Sequence, residues 1–519
     1  MGRLFCILSL AAGLVASGVG RPAAAQSPCV GDCRNERSVT VDSLLILVNI
    51  VLGTSEAAEC SSGLPSGEAS VDVSTIVRAV HNALNGCPPL PTASPEPSSS
   101  PTAPPTETPE PTSTVTPTGT ATVVPVHFCD LPGSVRTTAE GITVVPGGVS
   151  SEIDPRFLQL PDGFCAHPFA RVPNVREMRF APGGELFVAS PSMFSTGGGQ
   201  GGRNAILVLS DDDRDGNAEP AVSFLGGISA THGMLFADSW FYYQNGSAIL
   251  RLPYHKGDRV PAGESEKLID ITFYKSLVHW PKPIDQADDG TIYIGNGGDQ
   301  GDPCDAASPF HGGVLALDPA FPQGRQVSRG FRNPMSLRCA RGYNRCYAVE
   351  LSRDYTSAVG GREKVVPIRD GDDLGFPCCA TRDLAYPDSP AGTDCSSVIE
   401  ETGSFIVGDT PFDLAFETGL WPAPWSYRAY IPLHGVYGTW DGARLVALEM
   451  DPATGELRMG SDLSGQSSGA MMDFATGWDD RTRRWGRPAA VEFAEDGRLF
   501  IGNDANGDIV WVAPLDLKM

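Results

Sequence analysis

The chain has 519 residues, 38 Lys and Arg against 62 Asp and Glu, and a formal charge of −24 at pH 7. So acidic a chain cannot neutralise a run of phosphates, which excludes a general nucleic-acid partner and favours neutral or cationic ones. Glycine (59) and proline (44) make up about a fifth of a chain that is still 41% hydrophobic, and this predicts a turn-dense all-β body.

Residues 1–25 read as a signal peptide. Arg3 gives the positive start, residues 4–19 an apolar core too short for a bilayer, and Ala23-Ala24-Ala25 a small-residue cleavage site before Gln26. No later run of about 20 apolar residues follows, so a secreted or periplasmic protein with no membrane span is expected. Loss of Arg3, Arg21 and Cys6 leaves a charge of −26 and twelve cysteines. An even number in an oxidising compartment predicts disulfides.

Residues 26–87 contain an internal repeat. Segments 39–53 and 71–84 align 32 residues apart, each an extended piece leading into an amphipathic helix of about ten residues, capped by Asp42 or Ser74. The pair resembles a degenerate dockerin or EF-hand module. Its first loop places Asp32, Arg34, Glu36, Arg37, Ser38, Thr40 and Ser43 at positions 1, 3, 5, 6, 7, 9 and 12, which puts a cation at a ligand position and loses the closing carboxylate. The second loop runs from Leu64 to Thr75, and calcium is expected in neither. Cys29, Cys33, Cys60 and Cys87 are expected to staple the module instead, in a pairing the sequence leaves open. Docking of a protein partner and a vestigial N-terminal cap both remain readings of this segment. Residues 88–125 are almost entirely Pro, Thr, Ser, Ala and Glu; they cannot bury a core and predict a disordered, solvated linker.

Residues 126–519 carry the body. A strand, a tight turn and a second strand recur at 178–188, 235–243, 288–294, near 339–347, near 414–430 and at 491–500. Six such units predict a six-bladed β-propeller. Cys339 and Cys346 flank one expected hairpin and could bridge it; the absence of a CxxC pair near histidines argues against metal binding by the other cysteines. Asp211-Asp212-Asp213-Arg214-Asp215-Gly216 reads as a solvated turn, because Val222 stands where a calcium loop would close.

Within the blades, His279-Trp280, Gly298-Asp299-Gln300-Gly301, Gly330-Phe331-Arg332-Asn333-Pro334, Glu350-Leu351-Ser352-Arg353-Asp354, Gly360-Gly361-Arg362-Glu363 and Gly371-Asp372-Asp373-Leu374-Gly375-Phe376-Pro377 occur in this order. Together they resemble the glucose/sorbosone dehydrogenase family of quinoprotein propellers, over about residues 160–514. The resemblance implies a secreted oxidoreductase that uses pyrroloquinoline quinone and Ca²⁺ to oxidise an aldose or sugar-derived aldehyde and passes electrons to an external acceptor. It implies His279 as the base that takes the hydroxyl proton, Asp299 as its orienter, and Arg332, Asn333 and Arg487 as contacts to quinone and substrate. A tricarboxylate cofactor requires local cations, and Arg329, Arg332, Arg338, Arg341, Arg345 and Arg353 fall within 25 residues of each other. Calcium is implied at backbone carbonyls near Ser352 and Arg353, with a second site at Glu363.

The chain departs from the family pattern twice. His434 stands where characterised bacterial glucose enzymes carry a cofactor-binding lysine, and Ala489 where they carry a second arginine. A non-catalytic glycan- or protein-binding propeller and a calcium-dependent lactone hydrolase are the alternative readings.

Overall fold

The computed structural model describes most of residues 29–51, scattered residues from 55 to 87, and then 127–148, 152–192, 201–271, 279–298, 304, 312–318, 321–354, 356, 360–436, 439, 441–463, 466–479 and 485–519. The chain divides into two compact units, Met1–Thr118 and Gly119–Met519. The expected signal peptide and linker lie outside the described residues.

In the first unit one α-helix is described, Val41–Val51. Its cap is Thr40 and not Asp42: the Thr40 hydroxyl accepts the Ser43 N–H at 3.3 Å, as a side chain must precede the first helical residue to reach the unpaired donor three positions on. Of the second copy only Thr75, Ala79, Asn82 and Ala83 are described, all helical, so a distinct two-helix module is not resolved. Disulfides Cys29–Cys87 and Cys33–Cys60 settle the pairing left open above.

The second unit is a six-bladed all-β propeller. The first strands of its blades are Glu177–Phe180, Met234–Ala237, Ile284–Gln286, Asn333–Ala340, Ala415–Glu417 and Pro488–Phe493. All six expected hairpins form. Three of their turns share one device: Gly184, Gly290 and Gly497 sit at φ of 95°, 88° and 93° and donate to the carbonyls of Ala181, Ala287 and Ala494. That left-handed backbone needs a residue without Cβ.

The last blade is built from both ends of the unit. Phe164–Arg171 pairs antiparallel with the C-terminal strand Asp508–Pro514, and the hairpin Val135–Thr138/Gly141–Val144 extends it outward. Cys129–Cys165 fastens this strand to the preceding turn. Cys339–Cys346 bridges its hairpin as expected, and Cys304–Cys378 and Cys379–Cys395 complete the set, so twelve of the thirteen cysteines are paired. Between blades the core is largely aromatic. Phe187 meets Phe224, Phe236, Phe241 and Tyr254 within 6 Å, and Phe164, Trp421, Tyr430 and Phe474 form a second such group. Among the described residues no helix is long and apolar enough to cross a membrane.

The first strands meet around the axis, and there the core is ionic. Arg338 lies 2.9 Å from Asp413, 3.3 Å from Glu177 and 3.4 Å from Glu492, joining blades 4, 1 and 6 to the segment that enters blade 5. Arg179 pairs with Glu177 at 3.3 Å and donates to the carbonyls of Met234 and Ile284. Burial raises Glu177 well above the usual carboxylate range and Glu492 to about 7, while Arg338 opposes both shifts. Arg338→Met leaves these carboxylates without their counter-ion and is expected to cost about 3–5 kcal/mol at pH 8. The loss should shrink at pH 5, where protonated carboxylates need no guanidinium. Denaturant unfolding at the two pH values measures it. The same measurement on Glu492→Gln should remove the part of the wild-type stability that is present below pH 4.5 and lost as pH rises through about 7.

Candidate active site

Each blade has a buried charged or titratable residue just before its first strand. Arg176, Arg332 and Arg487 stand one position before their strands, and His232, Lys282 and Asp413 two positions before theirs. All six are 7% exposed or less. A chain of charge −24 thus buries three arginines and a lysine at the entries to its first strands, residue types that suit an anionic ligand.

His279 forms one wall. It is buried, and its Nδ1 donates to the Gly298 carbonyl. A carbonyl only accepts, so this bond fixes the tautomer and makes Nε2 the basic atom. Asp299, the expected orienter, lies outside the described residues; the orienting acceptor seen is Gly298. The adjoining Gly297 is squeezed between His279 and Arg332: a Cβ there would lie 3.0 Å from His279 Cβ and 2.8 Å from the Arg332 carbonyl. Gly298 N–H donates to that same carbonyl at 2.9 Å.

Arg332 and Asn333 form the next corner. Arg332 Nη1 donates to the Ser352 carbonyl at 2.7 Å, Nη2 pairs with Asp354 at 2.8 Å, and the backbone N–H donates to Glu350 at 3.0 Å. Arg332 Nε, Asn333 Oδ1 and Glu350 Oε2 are buried without a hydrogen-bond partner, a state that buried polar atoms rarely keep unless a ligand or water meets them. Burial raises Glu350, with Lys364 opposing.

The third side joins His434, Asp504, Arg176 and Arg487. His434 Nε2 donates to Asp504 Oδ1 at 2.9 Å and Arg176 Nη1 to Asp504 Oδ2 at 2.8 Å. The His434 ring stacks on Phe412 at 4.2 Å, and the Arg176 guanidinium lies 4.6 Å from the centre of the same ring. Arg487 donates to the carbonyls of His434 and Gly435 at 2.9 and 2.7 Å. Burial and Arg487 push the His434 pKa down to about 4, so at neutral pH it brings no charge. Ala489 is fully buried in an apolar group with Met335, Leu351 and Phe412.

The structure places His279 against Arg332 across Gly297, with Asn333 next in the chain, and Arg487 against the His434 and Gly435 carbonyls. The arginine cluster of the sequence does not converge: Arg338 points into the axis, Arg329 and Arg353 pair with Asp373 and Asp388 at the surface, and Arg341 and Arg345 hold a turn at the far end of their hairpin. The Ser352 carbonyl accepts from Arg332, and that of Arg353 from Thr356 at 2.5 Å. Glu363 accepts the Thr410 N–H at 2.5 Å, and burial raises its pKa to about 8. Arg176, His232, Lys282 and Asp504 were not singled out from sequence. Lys282 Nζ donates to Asn296 at 2.6 Å, and burial lowers its pKa to about 8.

Away from the mouth, Asp211, Asp213 and Asp215 bring carboxylate oxygens within 4.8 Å of one another. Glu219 closes this turn by accepting the Asp212 N–H at 2.8 Å.

A family model described as a domain of unknown function, DUF7133, matches residues 151–355. No curated protein matches significantly. Among solved structures, the iodide structure of Trichoderma reesei Carbohydrate-Active Enzymes Family AA12 is 16% identical, with a TM-score of 0.57 over 71% of this chain and 100% of that one. The holo form of the pyranose dehydrogenase PQQ domain from Coprinopsis cinerea is also 16% identical, with a TM-score of 0.53 over 71% and 98%. The chain shares the β-propeller fold of these structures.

Gly297→Ala should force His279 and the Arg332 carbonyl apart, at a cost of about 1–3 kcal/mol. A thermal melt of the purified variant checks this, and an unchanged melting temperature would mean that the two walls are not in register through Gly297.

Proposed function

We propose that the protein is a secreted oxidoreductase that oxidises an aldose or sugar-derived aldehyde, with pyrroloquinoline quinone and Ca²⁺ as cofactors and an external electron acceptor. The observation that supports this reading is the set of buried cations, Arg176, Lys282, Arg332 and Arg487, at the entries to the first strands of a protein that is otherwise strongly acidic.

The residues at the mouth fit both groups. Arg332 Nε is a buried guanidinium N–H without a hydrogen-bond partner, Asn333 follows it in the chain, and Arg487 and Lys282 are likewise buried at strand entries. They would hold an anionic, planar cofactor. When bound, the quinone supplies the two-electron acceptor. Asn333 Oδ1, Glu350 Oε2 and the Ser352 carbonyl form an all-oxygen corner, the first two buried without a hydrogen-bond partner, and such a donor set suits a hard divalent cation. Arg353 and Glu363 would serve calcium as expected from sequence only through the Arg353 carbonyl and a deprotonated Glu363.

The substrate hydroxyl proton goes to His279 Nε2, the atom left basic by the bond from Nδ1 to Gly298. Gly298 holds the ring during that transfer, and Arg332, anchored on Ser352 and Asp354, holds its charge at a fixed point. A lactone hydrolase would need channel carboxylates turned to a metal, whereas Glu177, Asp413 and Glu492 face Arg338 and Arg179.

Purified protein reconstituted with the quinone and CaCl₂ is expected to reduce a dye with one or more members of an aldose panel. His279→Asn should lower turnover by about 10²–10⁴-fold while quinone binding persists. Failure to bind quinone together with no turnover on any aldose would overturn the reading in favour of a non-catalytic propeller. Full activity in His279→Asn would overturn only the assigned base.

A further inference from the structure

Three residues far apart in the chain, Arg176, His434 and Asp504, share one carboxylate. Each Asp504 oxygen serves one partner: Oδ2 takes Arg176 at 2.8 Å and Oδ1 takes His434 at 2.9 Å. All three are 3% exposed or less. Phe412 backs two of them, stacked on His434 and lying under the Arg176 guanidinium. Arg176 holds the same station in blade 1 that Arg332 holds in blade 4 and Arg487 in blade 6, one residue before the first strand.

The three arginines differ in what they face. Arg487 spends two nitrogens on carbonyls of the 434–435 segment, and Arg332 pairs with Asp354, whose side chain is 50% exposed. Arg176 is matched to a carboxylate as buried as itself. A buried Arg–Asp pair has given up the hydration of both ions, so an incoming anion that takes the place of Asp504 meets a guanidinium already desolvated.

We propose that Arg176 is a further anion-holding residue of the mouth, that Asp504 is its resting counter-ion, and that His434 keeps hold of Asp504 when a carboxylate of the ligand engages Arg176. The inference rests on the quinone reading above and deepens it, naming the residue that receives one carboxylate of the cofactor. Two consequences separate it from a merely structural pair. Removing the cation weakens the ligand, and removing the internal competitor strengthens it.

The test is the dissociation constant of pyrroloquinoline quinone for the full-length protein, measured by titration calorimetry at pH 7 without substrate. Arg176→Gln is expected to weaken binding at least tenfold, and Arg176→Lys less. Asp504→Asn should tighten binding severalfold, and that gain should vanish in the Arg176→Gln/Asp504→Asn double variant. Circular dichroism melts identify variants that have failed to fold, and Arg176→Lys and Asp504→Asn keep the question answerable if Arg176→Gln is one of them. Wild type that binds quinone, with binding unchanged in Arg176→Gln or Arg176→Lys or weakened in Asp504→Asn, overturns the role of Arg176 alone. Wild type that binds no quinone overturns the cofactor reading and this inference with it.

Discussion

The propeller depends on one guanidinium. Six first strands converge on an axis too narrow to hydrate the charges they carry, and Arg338 meets Asp413, Glu177 and Glu492 from three directions. Ionic cores are costly to assemble, since each ion loses its water before it gains a partner. What such a core offers in return is register. A hydrophobic axis would tolerate blades that slide or rotate, whereas a carboxylate cluster around a forked donor accepts one arrangement. The mouth residues sit one or two positions upstream of the same strands, so the precision of the axis becomes the precision of the site.

The mouth uses charge in the opposite way. In the axis, carboxylates outnumber the guanidinium groups that hold them; at the entries to the strands, cations prevail. Glu350 stands close enough to Glu363 to add to the rise in its proton affinity that burial causes, and His434 is held neutral. A site of this kind is poised between binding an anion and binding a cation. The proposed quinone and calcium would present one of each.

Much of this was legible from the sequence. The six hairpins were, because Ala-x-x-Gly turns and apolar strands on either side leave a local signature at Gly184, Gly290 and Gly497. His279, Arg332, Asn333 and Arg487 stood out in the sequence because each sits in a short phrase, and the structure buries all four. The arginine cluster misled for a geometric reason: residues 333–351 form a hairpin that carries Arg338 to the axis and Arg341 and Arg345 to its far turn, so nearness in sequence became distance in space. Arg176 and Asp504 escaped notice because 328 positions separate them and neither lies in a distinctive phrase. The helix cap was misplaced by two residues because Asp42 is the stronger capping type, while the structure places Thr40 before the first helical turn.

The final blade has a further consequence, for how the chain is made. Its strand Phe164–Arg171 waits for Asp508–Pro514, the last strand of the polypeptide. During synthesis Phe164–Arg171 therefore has only Val135–Thr138 beside it until Asp508–Pro514 has emerged. Five blades can form in sequence behind it, but the ring cannot shut, and the axis cannot gather its carboxylates around Arg338. Without Asp508–Pro514, Phe164–Arg171 and Leu499–Asn503 would each present an open sheet edge, a ready template for pairing with another chain.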